Sequence, residues 1–406
     1  MYNHAVRVLL LNLYYPPDTS ATAKVAAAFV EPLAAKHEVT VLCGRPSYDP
    51  TERRPWRPWQ VEQCGNVKII RVGSTDYPRT QMTKRIINYL SYVGLCVPRA
   101  LFVKCDVVVA MTDPPFQGIT GAFVALLKRK AYVYDIFDLY PDMALGGSIV
   151  APGLLARVWE KMHRWALRRA KRVIVLGEDM RARIVAKGLP AERVAVVRSG
   201  AEVVSGEASE ASVDPEIVRQ IRGDFRFILL HAGNLGFYGA WGTLVAAARE
   251  LSEDGVGLVF VGDGAQRAQI EIEAGHSRNV RFLPFFPVGK IPSVLASADA
   301  HVITIKRGLE GVVVPSKMYS ILAAGRPVVA VAPGEADAAS LAVRHGYGVA
   351  VDPDKPAELV VAVRRLLAEP ALLTKMRSAA RAAAYEYDRV TEIQKFVRIV
   401  EEVGLA

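Results

Sequence analysis

Two carboxylates stand close together in Asp135-Ile136-Phe137-Asp138-Leu139-Tyr140-Pro141-Asp142, at the end of an apolar, strand-like run. Carboxylates that close a strand at a cleft edge can deprotonate or orient a hydroxyl group. Asp138 is the candidate to orient such a hydroxyl, with Asp135, which interrupts an otherwise buried run, supporting the loop. A second set of residues suits an anion. Gly233-Asn234-Leu235-Gly236-Phe237-Tyr238-Gly239 follows one apolar run and precedes a helical pattern, and Gly262-Asp263-Gly264 follows another. Glycines let backbone amides approach a ligand, and a helix N-terminus favours negative charge such as a diphosphate. Their spacing is not that of the dinucleotide fingerprint. Glu310-Gly311-Val312-Val313-Val314-Pro315-Ser316-Lys317 opens a further helix. Here Lys317 and Ser316 could meet phosphate and Glu310 a sugar or ribose hydroxyl, while Ser316 also suits a helix N-cap.

Other chemistries lack their residues. The seven histidines are scattered and show no metal spacing. There is no nucleophile elbow and no NTPase-type phosphate loop. Asp352-Pro353-Asp354 reads as a turn and helix cap, so no metal is expected. Cys43, Cys64, Cys96 and Cys105 have neither zinc-pair spacing nor the density of a disulfide framework, and read as reduced thiols in a cytoplasmic protein.

The elements that must position these loops alternate. Strands are expected at Val6–Asn12, His37–Cys43, Val67–Val72, Val107–Met111, Ala131–Ile136 and Arg172–Leu176, with helical patterns between most of them. The pattern restarts at Phe227–Ala232 and continues through Gly257–Val261, Val280–Leu283, Ala300–Ile305, Pro327–Val331 and Gly348–Val351. Strand–helix alternation means parallel sheets covered on both faces. With 406 residues, two α/β domains are expected, joined by a linker over Ser199–Pro215. A final helical stretch runs from about Arg377 to Val403. Ligands bind such sheets at the carboxyl ends of their strands, where all the loops above lie.

Charge is unevenly shared. Residues 1–200 hold 29 Lys and Arg against 16 Asp and Glu, whereas the remainder holds 22 against 25. A basic half attracts anionic lipid, nucleic acid or a phosphorylated substrate. The start lacks the features of a secretory signal, and no uninterrupted apolar run reaches the roughly 20 residues of a membrane span. Arg79 to Lys104, with Lys84 and Arg85 flanking an apolar run that Pro98 should break, suits a helix lying in a membrane interface with its tyrosines at the headgroups. A pair of ordinary core helices is the competing reading.

Taken in order, these segments resemble glycosyltransferase family 4, in particular its bacterial O-antigen, capsule and exopolysaccharide branch. The resemblance covers nearly the whole chain. It is carried by Tyr14-Tyr15-Pro16-Pro17-Asp18, Asp135 to Pro141, Ala232 to Gly236, Phe260 to Gly264, Val314-Pro315-Ser316-Lys317 and Ala323-Ala324-Gly325-Arg326-Pro327. It implies a GT-B fold, two Rossmann-like doubly wound domains facing a cleft. Residues 1–198 would hold the acceptor, 199–384 the nucleotide-sugar donor, and a last helix at about 385–406 would pack back on the first domain. It implies retention of anomeric configuration, a donor that is UDP-linked by default, and no cofactor or required metal. On the donor side it places Gly233, Asn234, Leu235, Gly236, Gly262, Gly264, Phe285, Ser316 and Lys317. On the acceptor side it places Pro17, Asp18 and Thr19, with Asp138, Asp135 and Glu310 at the reacting centre.

The chain departs from the family pattern in several places. Val312 and Ser320 stand where many members have two glutamates, and Phe137 where many have histidine. The donor-phosphate loop lacks its usual Arg and Lys, and Ser199-Gly200 replaces an Asn-Gly pair. The expected partners are a nucleotide-sugar, a lipid-linked or glycan acceptor and the inner membrane face, with no nucleic acid. Two other readings stay open: a nucleotide-sugar 2-epimerase of the same fold, and a non-catalytic partner of another transferase.

Overall fold

The computed structural model describes residues 5–46, 56–77, 81–203 and 213–405. The first sheet comprises β1 (Arg7–Leu11), β2 (Glu38–Gly44), β3 (Trp59–Cys64), β4 (Val67–Val72), β5 (Val107–Ala110), β6 (Ala131–Ile136), β7 (Arg172–Val175) and β8 (Val194–Val196). Its lateral order is β3-β4-β2-β1-β5-β6-β7-β8, and only the β3–β4 pair is antiparallel. Around it lie α1 (Ala21–Ala34), α2 (Met82–Leu101), α3 (Gln117–Lys128), α4 (Asp142–Gly146), α5 (Leu154–Arg169) and α6 (Glu178–Ala186). After the half-buried Arg7, β1 and all of β5 are buried on both faces, hence their unbroken Val/Leu/Ala composition.

The second sheet comprises β9 (Phe227–Ala232), β10 (Val256–Val261), β11 (Val280–Leu283), β12 (Ala300–Thr304), β13 (Val328–Val331) and β14 (Gly348–Val351). Its order is β11-β10-β9-β12-β13-β14, parallel throughout. Its helices are α7 (Pro215–Arg222), α8 (Trp241–Glu250), α9 (Arg267–Ala274), α10 (Ile291–Ala296), α11 (Lys317–Ala323), α12 (Asp337–Arg344), α13 (Pro356–Ala368) and α14 (Pro370–Glu386). A last helix, α15 (Arg389–Leu405), returns to the first half. There Phe396 stacks on Phe29 of α1 with centroids 4.0 Å apart.

The chain therefore crosses between the halves twice, and the crossings lie side by side. Ala201 N–H donates to the Tyr387 carbonyl (2.7 Å) and Arg389 N–H to the Ala201 carbonyl (3.0 Å). Gly200 has φ +70°, and a Cβ there would stand 2.5 Å from the Arg389 Cα, so only glycine fits this contact.

The structure corrects three local expectations. The stretch from Arg377 to Val403 is not one helix. It breaks at Tyr387-Asp388, where Asp388 accepts from the Thr391 amide (3.0 Å) to start α15. Helix α2 runs straight through Pro98. One intrahelical bond is lost there, but Tyr92, Cys96 and Ala100 are locked into the core and hold the helix. For the same reason Tyr89 and Tyr92 face the protein interior and not a headgroup layer. Arg79 and residues 204–212 of the expected linker lie outside the described residues.

Candidate functional site

The two glycine turns after β9 and β10 are built against each other. Leu235 N–H donates to the Asp263 carbonyl (2.9 Å) and Gln266 N–H to the Leu235 carbonyl (2.9 Å). Gly262 has φ +143°, and a Cβ there would lie 2.0 Å from the Gly233 carbonyl oxygen. At Gly264 a Cβ would lie 2.5 Å from the Leu235 carbonyl. Both positions are thus glycine because backbone meets backbone. The loop is braced by the Tyr238 hydroxyl on the Asn234 carbonyl (2.6 Å) and the Trp241 indole N–H on that of Gly236 (2.8 Å).

Lys317 joins this loop from the start of α11. Its Nζ lies 3.7 Å from where a side chain on Gly233 would begin. It also lies 2.9 Å from His231 Nε2, beneath it on β9. Burial pushes the Lys317 ammonium down to about 7. Burial, and then Lys317 itself, hold His231 well below its ordinary value, so this imidazole stays neutral. A half-buried lysine over a neutral histidine, against a glycine turn, is a place where an arriving anion would restore a full positive charge. Ser316 next to it is exposed and makes no cap hydrogen bond, contrary to the expected N-cap. It already has helical φ and ψ, which turn its side chain away from the first-turn amides. Phe285 stands exposed beyond β11.

Asp138 faces this donor-like loop from the first half. Its backbone bridges to Val313, and its charge acts on Tyr238. Burial, and then the charge of Asp113, raise the Asp138 carboxyl to about 7. Asp113 was not anticipated. It follows β5 in Thr112-Asp113-Pro114-Pro115, and the available signal was another aspartate directly after an apolar strand. It ties the Pro17–Thr19 loop to this corner: its carbonyl accepts from Leu13 N–H (2.8 Å) and its carboxylate from the Thr22 hydroxyl (2.5 Å). In that loop Asp18 is buried, Pro17 half-buried and Thr19 exposed. Beside it a narrow pocket is lined by Tyr14, Ser74, Arg85, Asn88 and Tyr89.

Asp135 is buried and raised well above the carboxylate range by that burial, with Oδ2 unpartnered. Thr112 links its backbone to the next turn, donating to the Asp135 carbonyl (3.3 Å) and accepting from Phe137 N–H (2.7 Å). Glu310 is committed elsewhere. Its Oε1 pairs with Arg183 (3.1 Å) and its Oε2 accepts from Gly308 N–H (2.7 Å). Asp352 and Asp354 both pair with Arg307, and Asp352 caps the Asp354 amide. The turn is there, but neither caps the following helix, whose N-cap position is Lys355. Among the described residues no group of three or more His, Cys, Asp or Glu side chains could hold a metal ion.

Family models match both halves: a glycosyl transferase 4-like domain over residues 20–200 and a glycosyl transferases group 1 domain over residues 226–369. The chain belongs to glycosyltransferase family 4. This glycosyltransferase is 26% identical over 410 residues to the putative colanic acid biosynthesis glycosyl transferase WcaI of Escherichia coli, covering 97% of this chain and 99% of that protein. It is 24% identical to the probable glycosyltransferase WbjE of Pseudomonas aeruginosa, over 65% and 66% of the two chains. Among solved structures it resembles Anabaena HepE in complex with UDP-glucose, with TM-score 0.69 and 19% identity over 98% of this chain and 100% of that one. The fold is GT-B. In this glycosyltransferase the two positions where many members carry glutamates are Val312, fully buried, and Ser320, exposed. Neither can supply a charge.

Proposed function

We propose that this glycosyltransferase moves a hexose or N-acetylhexosamine from a UDP-sugar to a lipid-linked acceptor in cell-surface polysaccharide synthesis, with retention of configuration. One observation carries the donor side: the Lys317 ammonium stands over the Gly233 turn, 3.7 Å from where a side chain on Gly233 would begin. There the diphosphate would meet a cation beside a turn with no side chain at Gly233 to bar its approach, and charge developing on the leaving group would be neutralised by Lys317. The names of the relatives support the rest, with WcaI described for colanic acid biosynthesis and HepE solved with UDP-glucose. Asp138 orients the acceptor hydroxyl, and burial, then the charge of Asp113, raises its proton affinity. In a front-face displacement the departing phosphate takes the proton, so Asp138 need not be a strong base. Asp135 supports that loop from below. A panel of nucleotides scored for thermal stabilisation tests the donor, since a ligand of the folded state raises the melting temperature. UDP should raise it more than GDP, ADP or CMP, and equal effects would refute a UDP-specific site.

The same reading places the protein against the inner membrane face through its basic first half. No helix of the described residues is long and apolar enough to cross a membrane. On α2, Ile86, Ile87 and Leu90 are exposed beside Lys84. Each basic residue near an anionic surface contributes roughly 1 kcal/mol. Co-sedimentation with anionic vesicles should therefore fall with added salt and in Lys84→Glu, Ile87→Glu. Equal sedimentation of both proteins would discard α2 as the contact.

A further inference from the structure

We propose that the groove between α2, α3 and α5 holds the hydrocarbon chain of a lipid acceptor whose anionic head enters the cleft at Asp138. This rests on the reading of a lipid-linked acceptor. The groove is an open cavity of about 650 Å³, within the usual range for ligand sites. Val93 and Val97 of α2, Ile119 and Phe123 of α3, and Met162 and Trp165 of α5 line it.

Its position ties it to the reacting centre. Each of the three helices places an aromatic ring at the cleft end: Tyr89 in α2, Phe116 just before α3, and Trp159 in α5. Phe116 meets Tyr89 edge-on at 6.2 Å and Trp159 at 6.4 Å, and Tyr140 stacks on Trp159 at 5.8 Å. Tyr140 feels the charge of both Asp138 and Asp113. The groove residues follow on the next turns of the same three helices, on the faces that carry the aromatic cluster. The groove thus starts where the cleft ends. At its far side the apolar strip continues onto exposed Leu101, Phe102 and Leu127.

Its chemistry selects the occupant. A peptide laid in this groove would bury N–H and C=O groups against a wall with almost no partners, at considerable cost. A flat bilayer would cover the rim and leave the concavity empty. A single hydrocarbon chain fills it and asks for no hydrogen bond. Lys161 stands on the groove's edge. At the cleft end Arg85 donates to the Tyr89 hydroxyl (2.5 Å). Arg85 therefore stands beside the Asp113–Asp138 pair at the cleft end, where an anionic head would sit, and apolar wall lies where a tail would.

The test is titration calorimetry of the full chain with farnesyl diphosphate, with inorganic diphosphate as the head alone. It compares wild type with Phe123→Asp and Met162→Asp. Both side chains are more than 40% exposed (43% and 46%), so the fold should survive. Circular dichroism and UDP-induced thermal stabilisation serve as controls. Wild type should bind farnesyl diphosphate at least about tenfold tighter than diphosphate, and each variant should lose most of that preference. No preference for the prenyl chain, or a preference that both variants keep, overturns the groove. Either result leaves a lipid-linked acceptor to be judged by transfer assays. Variants that lose only sedimentation with phosphatidylcholine vesicles would mean a bilayer contact and overturn the chain-binding site. Sugar transfer to soluble glycans alone, with prenyl binding intact, overturns the acceptor reading and the groove's role in it.

Discussion

At the scale of single residues the site is a set of groups held away from their ordinary protonation. Lys317 sits near 7 because burial disfavours its charge. When a diphosphate arrives its pKa must rise, so donor binding at pH 8 should take up close to one proton from solution. Calorimetry of UDP binding in buffers of different ionisation enthalpy measures that number. A value near zero at pH 8 would separate Lys317 from the diphosphate. Lys317→Met should lower turnover by about 2–4 kcal/mol at the transition state, as other lost charge stabilisers do. Asp138 is displaced the other way, up to about 7. Its sign for stability is unfavourable at neutral pH: a carboxyl raised above its unfolded value stabilises the fold at acid pH, and that contribution is lost as pH rises through 7. Activity should rise with pH on a limb near 7. Asp113→Asn removes a neighbouring negative charge and should move that limb to lower pH. Asp138→Asn should lower turnover and abolish the limb, with UDP affinity close to normal. A variant that instead loses UDP affinity would put Asp138 on the donor side.

At the scale of elements, function depends on two turns that only glycine can make. Gly262 combines φ +143° with backbone 2.0 Å from its missing Cβ. Gly262→Ala must therefore push the Gly233 turn outward, at a backbone cost of about 1–3 kcal/mol. It should weaken UDP binding while far-ultraviolet circular dichroism stays unchanged, because β9 and β10 are secured by their own ladder. Unaltered UDP binding would show that the turns do not shape the donor site. These turns were legible because a glycine cluster after an apolar run needs no tertiary information. The central strands were legible for the same reason. Strand β3 was not: its residues are exposed or half-buried, so it has no apolar run, and only pairing with β4 makes it a strand. The three residues of β8 are too few for periodicity to register. Helix α2 misled for a related reason. Its tyrosines look amphipathic in sequence, and only the docking of Tyr92 under the Leu42 carbonyl (3.3 Å) reveals which way they turn. Asp113 and His231 escaped because single polar residues gain meaning only from what the fold sets opposite them.

At the scale of the whole molecule, the segment around Glu310 is where the halves are joined. Leu139 N–H donates to the Val312 carbonyl (3.1 Å), and Gly311 N–H and Asp337 N–H both donate to Asp179 Oδ2 (3.1 and 3.0 Å). Burial, and then the charge of Asp337, raise Asp179 to about 6, so this junction carries an internal repulsion. Arg198 offsets it by pairing with Asp337 at 2.5 Å. Opening would turn on the paired crossings at Ala201 and Arg389. Asp138 bridges to the same inserted segment, so its position depends on closure of the halves. Glu310 then has two possible roles with different consequences. As a ligand of the donor sugar, its loss removes a contact at the reacting centre, and Arg183 matters little. As half of a latch, Glu310 and Arg183 act as one unit. The geometry favours the latch, since both carboxylate oxygens are occupied. The pair is partly exposed, with side-chain exposures of 30% and 20%, so its worth is about 1 kcal/mol. Glu310→Gln should lower turnover about fivefold by that energy, Arg183→Met by more because Arg183 also donates to the Glu310 and Gly308 carbonyls, and the double variant should be no worse than Arg183→Met alone, the non-additivity expected of contacting residues. Small-angle scattering should show both variants more expanded than wild type without nucleotide and recompacted by UDP. A Glu310→Gln loss of a hundredfold or more beside a near-silent Arg183→Met would return Glu310 to the sugar and leave the closure to Asp179 and Arg198.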